Sequence, residues 1–118
     1  PSILEETENL DKRRSINGVS PNFVHSMDAT ALTLTINRCI KEGINNFSVV
    51  HDSYGVHAHF VPRMADAIRK SFVDMYSETD VLTDFYDEVI DVIPELEAPP
   101  KRGDLDIMGV LDSEYFFS

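Results

Sequence analysis

Apolar residues recur along this chain with two different periods, and the change between them marks out the elements. Val24, Met27, Ala31 and Leu34 fall at three- and four-residue steps, the spacing of one face of an α-helix. Ser20 is a good N-cap and Pro21 suits a first helical position, where its missing N–H costs nothing. The spacing therefore predicts a helix from Ser20–Pro21 to about Glu42, with Gly43 as its stop and 16–20 as a loop before it. The period then shortens. Val49 and Val50 run into a polar cluster, His51-Asp52-Ser53, and Tyr54-Gly55 lets the chain turn into a second strand-like run, Val56 to Phe60. Strand, bend and strand make a hairpin over Phe47–Phe60 with Asp52 at its tip.

Helical spacing returns at Pro62, where Met64, Ala65, Ile68, Phe72, Met75 and Tyr76 define an apolar face. It repeats from an N-capping Asp80 to Ile93 through Leu82, Phe85, Tyr86 and Val89, with Asp84, Asp87, Glu88 and Asp91 on a solvated outer face. Pro94 ends this helix. A connector follows over Glu95–Gly103, then a short helix or strand over Asp104–Leu111. The last residues, Tyr115-Phe116-Phe117-Ser118, are too aromatic for a frayed end and are expected to dock against the body or a partner. The pattern predicts an α+β fold, helices packed on a short antiparallel β-hairpin with an extended C-terminal tail. It divides into a lead-in (1–20), the hairpin with its flanking helices (21–94), and the connector and tail (95–118).

Composition bounds what such a chain does. At 118 residues with 42% hydrophobic content it fits one compact domain or a piece of a larger one. Beginning with Pro1 rather than Met, it reads as a processed product or as a piece cut from something longer. No apolar run approaches the roughly 20 residues that span a bilayer, so a soluble protein without a membrane partner is expected. The single cysteine, Cys39, has no internal disulfide partner and reads as a small buried hydrophobe inside a helix. The net charge of −11 is unevenly spread: Lys and Arg number 5 against 7 acidic residues over 1–60, and 5 against 14 over 61–118. A stand-alone nucleic-acid binder needs a basic footprint to neutralise phosphates. This chain lacks one beyond Lys12-Arg13-Arg14, which reads as a solvated face or as a contact to a phosphate backbone.

The candidate chemistry lies at the hairpin tip. Asp52 and Ser53 are ordinary turn formers, and His51 on its own reads as a packed imidazole. A carboxylate at such a tip can also face a substrate. His25 and Asp28 share a helix face one turn apart.

Three motifs in order carry a resemblance. Pro21-Asn22-Phe23-Val24-His25-Ser26-Met27-Asp28, then His51-Asp52-Ser53-Tyr54-Gly55, then Tyr115-Phe116-Phe117-Ser118 resemble the C-terminal part of the single-subunit, bacteriophage-type RNA polymerases, a family that includes mitochondrial and chloroplast enzymes. The resemblance covers about Asp11 to Ser118. Tyr54-Gly55 and the run Asp80 to Asp87 look more like phage members. The resemblance implies a C-terminal palm and fingers segment of a DNA-directed RNA polymerase, a magnesium-dependent nucleotidyltransferase acting in transcription. It implies that Asp52 is catalytic and binds the metal, two Mg2+ ions serving the complete enzyme. His51, Ser53 and Tyr54 would shape the site, and His25 would lie near the growing base pair. Phe116, Phe117 and the Ser118 carboxylate would fold back towards the active centre. The implied partners are the remainder of the polymerase polypeptide, DNA template, nascent RNA and ribonucleoside triphosphates. The implied location is the cytoplasm of an infected bacterial host, or alternatively a mitochondrion or chloroplast.

The second metal-binding aspartate and the nucleotide-selecting helix of that family have no recognisable form here. The chain alone is therefore expected to be inactive. Two other readings stand beside this one: a non-catalytic acidic interaction module that retains the fold, and a segment of a related DNA polymerase, whose palm hairpin also ends in a His-Asp pair.

Overall fold

The computed structural model describes residues 9–117. Its elements in order are α1 (Lys12–Lys41), β1 (Phe47–Val50), β2 (Ser53–Val56), a 3-10 turn (Ala58–Phe60), α2 (Val61–Glu78), α3 (Val81–Ile90) and a second 3-10 segment (Ile107–Asp112). The expected architecture holds: helices dominate, and one two-stranded antiparallel hairpin packs against them.

The first helix starts earlier than the sequence suggests. Its N-cap is Asp11, whose carboxylate accepts a hydrogen bond from the Arg14 backbone N–H at 3.1 Å, and Pro21 lies inside the helix. Ser20–Pro21 imitates a start signal, and residues 16–20 are helical rather than a loop. Pro21 removes one backbone donor, whose acceptor would be the Asn17 carbonyl. Asn17 is exposed, so water can satisfy that carbonyl. The buried stripe is also rotated from the expected one. Val24 is 54% and Leu34 39% exposed, whereas Thr35 and Cys39 are buried, continuing the i+4 row of Phe23, Met27 and Ala31. The Thr35 hydroxyl is satisfied by the Ala31 carbonyl at 2.8 Å.

The hairpin turn also differs. Tyr54 and Gly55 belong to β2, facing Val49 and Ser48, and the two-residue turn is His51-Asp52. Alternation explains the register: Phe47, Val49, Tyr54 and Val56 are half-buried on one face, while Ser48, Val50, Ser53 and Gly55 face outwards. Turning at Tyr54 would pull that ring off the core. Beyond Val56 the chain leaves the sheet, and the 3-10 turn at Ala58–Phe60, closed by the Phe60 N–H donating to the His57 carbonyl at 2.7 Å, leads into α2 with Pro62 in its first turn.

The core is built where α1, α2 and the hairpin meet. Cys39, Ile44, Met64, Ala67 and Ile68 are buried, with Phe47, Tyr54, Val56, Phe60 and Phe116 packed against them. The expectation for Cys39 is met: it is fully buried, its sulfur 3.5 Å from that of Met64. Burial, and then the nearby Glu42 carboxylate, push its thiol above the ordinary range, Arg38 offsetting part of this. Arg38 also ties α1 to α2, donating to the buried Ser71 hydroxyl at 3.2 Å and pairing with Asp74. The α3 N-cap is Asp80, as expected, accepting from the Thr83 N–H at 3.3 Å, but α3 ends at Ile90, short of Pro94.

The whole is not globular. Its radius of gyration is 18.8 Å and its extents are 54 × 45 × 24 Å, against about 13 Å for the radius of a compact domain of this length. The amino-terminal half of α1 and all of α3 bury nothing fully. No helix among the described residues is long and apolar enough to cross a membrane.

Candidate active site

Two local facts present Asp52. It is the second residue of a two-residue turn, and both it and His51 are exposed. His51 has a φ of 54°, the one positive value outside glycine among the described residues. A side chain there costs roughly 1–2 kcal/mol against an ordinary conformation, and such outliers persist where the surroundings hold them in place. Here the paired strands do so, through the register Val50 with Ser53 and Val49 with Tyr54. A positive φ at the first central position suits the tight hairpin turns whose twist matches that of the strands.

Behind the turn lies a cleft of about 330 Å³. The turn contributes His51 and Asp52, β2 contributes Tyr54, and α1 contributes Asp28 and Thr35 to its lining. Ile68, Phe72 and Tyr76 of α2 form another wall, and Phe116 and Phe117 of the tail close it. The tail thus docks by aromatic contact: Phe116 meets Phe72 edge-on with centroids 4.9 Å apart, and Phe117 meets Tyr54 at 5.7 Å. The neighbouring Tyr115 stays 82% exposed.

The cleft is electrostatically one-sided. Burial raises the Tyr54 phenol above its ordinary value; the Thr35 hydroxyl lowers it, and the charges of Cys39, Asp52 and Asp28 raise it further. Burial and then Asp28 raise Tyr76 likewise. Asp28 thus bears on both phenols, and Asp52 on Tyr54 alone.

Of the residues singled out from the sequence, His51, Asp52, Tyr54, Phe116 and Phe117 come together around this cleft. Ser53 is exposed at the start of β2. His25 is exposed on α1 and is absent from the lining, whereas Asp28, the partner noted for it on the same helix face, lies in the lining. Ser118 lies outside the described residues. Thr35 and Arg69 were not anticipated. Thr35 was legible as the i+4 step between Ala31 and Cys39. Arg69, whose guanidinium donates to the Ser113 carbonyl just before the tail, was not, because that partner is 44 positions away in the sequence.

The donor set at the turn is small. Among the described residues no group of three or more His, Cys, Asp or Glu side chains is arranged to hold a metal ion. The exposed Asp52 carboxylate offers hard oxygen ligands of the kind magnesium takes, and that ion is commonly held by only one or two protein carboxylates together with waters and substrate phosphates. Asp52 fits one share of such a site.

A family model described as DNA-dependent RNA polymerase matches residues 2–97. The chain is 37% identical over 119 residues to DNA-directed RNA polymerase 2, chloroplastic/mitochondrial, of Arabidopsis thaliana, a match covering 99% of this chain and 12% of that protein. It is 35% identical over 115 residues to T7 RNA polymerase of Escherichia phage T7, covering 92% of this chain and 13% of that protein. It is also 35% identical to DNA-directed RNA polymerase 1A of Nicotiana tabacum, covering 99% of this chain and 76% of that protein. Against the first two of these relatives the chain spans about one eighth of their length.

Proposed function

The chain belongs to the DNA-dependent RNA polymerase family, and from that premise we propose that it is a C-terminal catalytic segment of a single-subunit polymerase, contributing Asp52 to magnesium-dependent nucleotidyl transfer. The observation that carries this reading is the strained His51-Asp52 turn, which holds a carboxylate out to solvent at the mouth of an aromatic-walled cleft. A two-residue hairpin turn takes a positive φ at its first central position whatever its role, so the reading rests on the exposed carboxylate that the turn presents beside the cleft.

In this reading each group has a task. Asp52, with a further carboxylate from the rest of the polymerase, would hold the two magnesium ions of the complete enzyme. Magnesium supplies charge neutralisation at the attacking and leaving oxygens of an in-line phosphoryl displacement. The strands fix the carboxylate, since misplacement by about 1 Å can cost on the order of a hundredfold in rate. His51 and Ser53 set the direction of the turn. Tyr54 walls the cleft behind the turn and packs against Phe117. Phe116 and Phe117 keep water from the inner wall. His25 would approach the nascent base pair from α1, and the exposed Lys12-Arg13-Arg14 at the start of α1 would meet the phosphate backbone of template or transcript. The remaining cationic surface must come from the rest of the polypeptide, because this chain is acidic. The expected location is the cytoplasm of an infected bacterium or an organelle of the mitochondrial or chloroplast kind.

The test is RNA synthesis from ribonucleoside triphosphates by a complete polymerase carrying this segment, with Asp52 intact and with Asp52→Asn. The reading expects a loss of at least about a hundredfold in kcat, with template binding retained. Equal rates for the two enzymes would remove Asp52 from the reaction.

A further inference from the structure

Arg69 sits on α2 one residue beyond Ile68, outside the cleft, and uses its whole guanidinium on backbone carbonyls. Nε and Nη2 both donate to the Ser113 carbonyl, at 3.3 and 2.9 Å, and Nη1 donates to the Ala65 carbonyl one turn back on its own helix at 3.3 Å. It forms no ion pair among the described residues. The fork is thus fixed to α2 at one end and grips the chain at Ser113 with the other, a two-pronged geometry that a lysine cannot reproduce.

Ser113 ends the last 3-10 segment in an extended conformation, and a turn at Glu114 and Tyr115 and a bend at Phe116 follow it. Phe116 follows three residues later and Phe117 four, so the fork lies at most roughly 10–14 Å from the residues that make the aromatic contacts with Phe72 and Tyr54. The connector before the 3-10 segment is held at a different place, by Arg102 donating to the carbonyls of Tyr76 and Thr79. Two arginines therefore staple the C-terminal strap to α2, and only one lies next to the tail.

We propose that Arg69 is a positioning residue for catalysis: by fixing the Ser113 carbonyl it sets the register at which Phe116 and Phe117 reach Tyr54 and the turn that carries Asp52. This rests on the reading of Asp52 as the catalytic carboxylate. Without the fork the tail slides or lifts, the inner wall of the cleft opens to water, and the turn loses its packing from behind. Because the fork acts through the placement of the Asp52 turn, an effect on kcat rather than KM is expected.

The experiment uses a complete polymerase carrying this segment, in six forms: unaltered, Arg69→Gln, Arg69→Lys, Arg102→Gln, a truncation lacking residues 115–118, and Arg69→Gln combined with that truncation. The expected result is a fall in kcat of about tenfold or more for Arg69→Gln at nearly constant KM. Arg102→Gln, which also removes carbonyl contacts from the strap, lowers the melting temperature with kcat within twofold. Combined with the truncation, Arg69→Gln adds nothing to the loss from truncation alone, because its only route to the site has gone. Arg69→Lys keeps the charge but not the fork and recovers only part of the rate. Hydrogen exchange over residues 113–117 is faster in Arg69→Gln than in the unaltered enzyme. Multiplying losses in the combined variant, or an unchanged kcat with an unchanged exchange rate, would overturn the proposal. If Asp52→Asn keeps full activity while exchange still rises in Arg69→Gln, the fault lies in the assignment of Asp52 and the tail anchor stands.

Discussion

Helices α2 and α3 are both amphipathic and adjacent in the chain, yet α2 has six buried residues and α3 none. Periodicity explains the likeness, since each sequence gathers its apolar residues on one side. It cannot explain the difference, which depends on what lies opposite. The α2 face meets α1, the hairpin and the tail, so Met64, Ala67 and Ile68 enter the core. The α3 face meets little beyond one tilted ring pair, Phe23 with Phe85 at 5.1 Å, and leaves Leu82 and Phe85 more than 40% exposed. A repeating apolar stripe identifies a surface ready for burial; long-range contacts decide whether burial occurs within the chain.

The contrast breaks most readily by truncation. Ile68→Ala removes buried methylenes beside Ala67 and is expected to cost about 2–4 kcal/mol in chemical denaturation. Leu82→Ala, at a residue 45% exposed, is expected to cost less than about 1 kcal/mol. Equal costs would mean that α3 is packed as tightly as α2. An effect below that of Ile68→Ala is also expected at the α3 cap: Asp80→Ala deletes the acceptor for the Thr83 N–H and should cost about 1 kcal/mol, readable as a loss of helical circular dichroism on warming.

The smallest effect is a pH dependence confined to the α2 side. The folded chain raises the phenols of Tyr54 and Tyr76 above their ordinary value of 10.0. As pH climbs past 10 the unfolded chain releases these protons first, so the folded state then holds more protons and stability declines. The contribution is complete below pH 10 and disappears as pH passes through the raised values. Ultraviolet titration of the phenols should show two late-ionising tyrosines, and Tyr54→Phe should abolish one of them.

Much of the fold was legible because local signals and tertiary packing agree. Pro62 and Asp80 mark real helix starts, Cys39 is buried as its helical setting suggests, and alternation around Val49 and Tyr54 specifies a hairpin. Legibility fails where a local signal imitates a boundary or where the partner is distant. Ser20–Pro21 looks like a helix start, but Asp11 supplies the cap and solvent tolerates the bond that Pro21 omits. Gly55 looks like a turn residue, but the inward ring of Tyr54 keeps it in a strand, and His51 takes the positive φ instead. Val24 and Leu34 look like core, but the hairpin and α2 lie against Thr35 and Cys39. The approach of Phe116 and Phe117 to the Asp52 turn could be expected only from the resemblance, and the Arg69 anchor behind it not at all.

The most direct test of the central claim is the magnesium dependence of RNA synthesis by a complete polymerase carrying this segment, compared for the unaltered enzyme, Asp52→Glu and Asp52→Asn. If Asp52 is a metal ligand, Asp52→Glu retains measurable synthesis but needs several-fold more magnesium for half-maximal rate, and Asp52→Asn stays inactive at every concentration. Three superimposable magnesium curves would contradict the account.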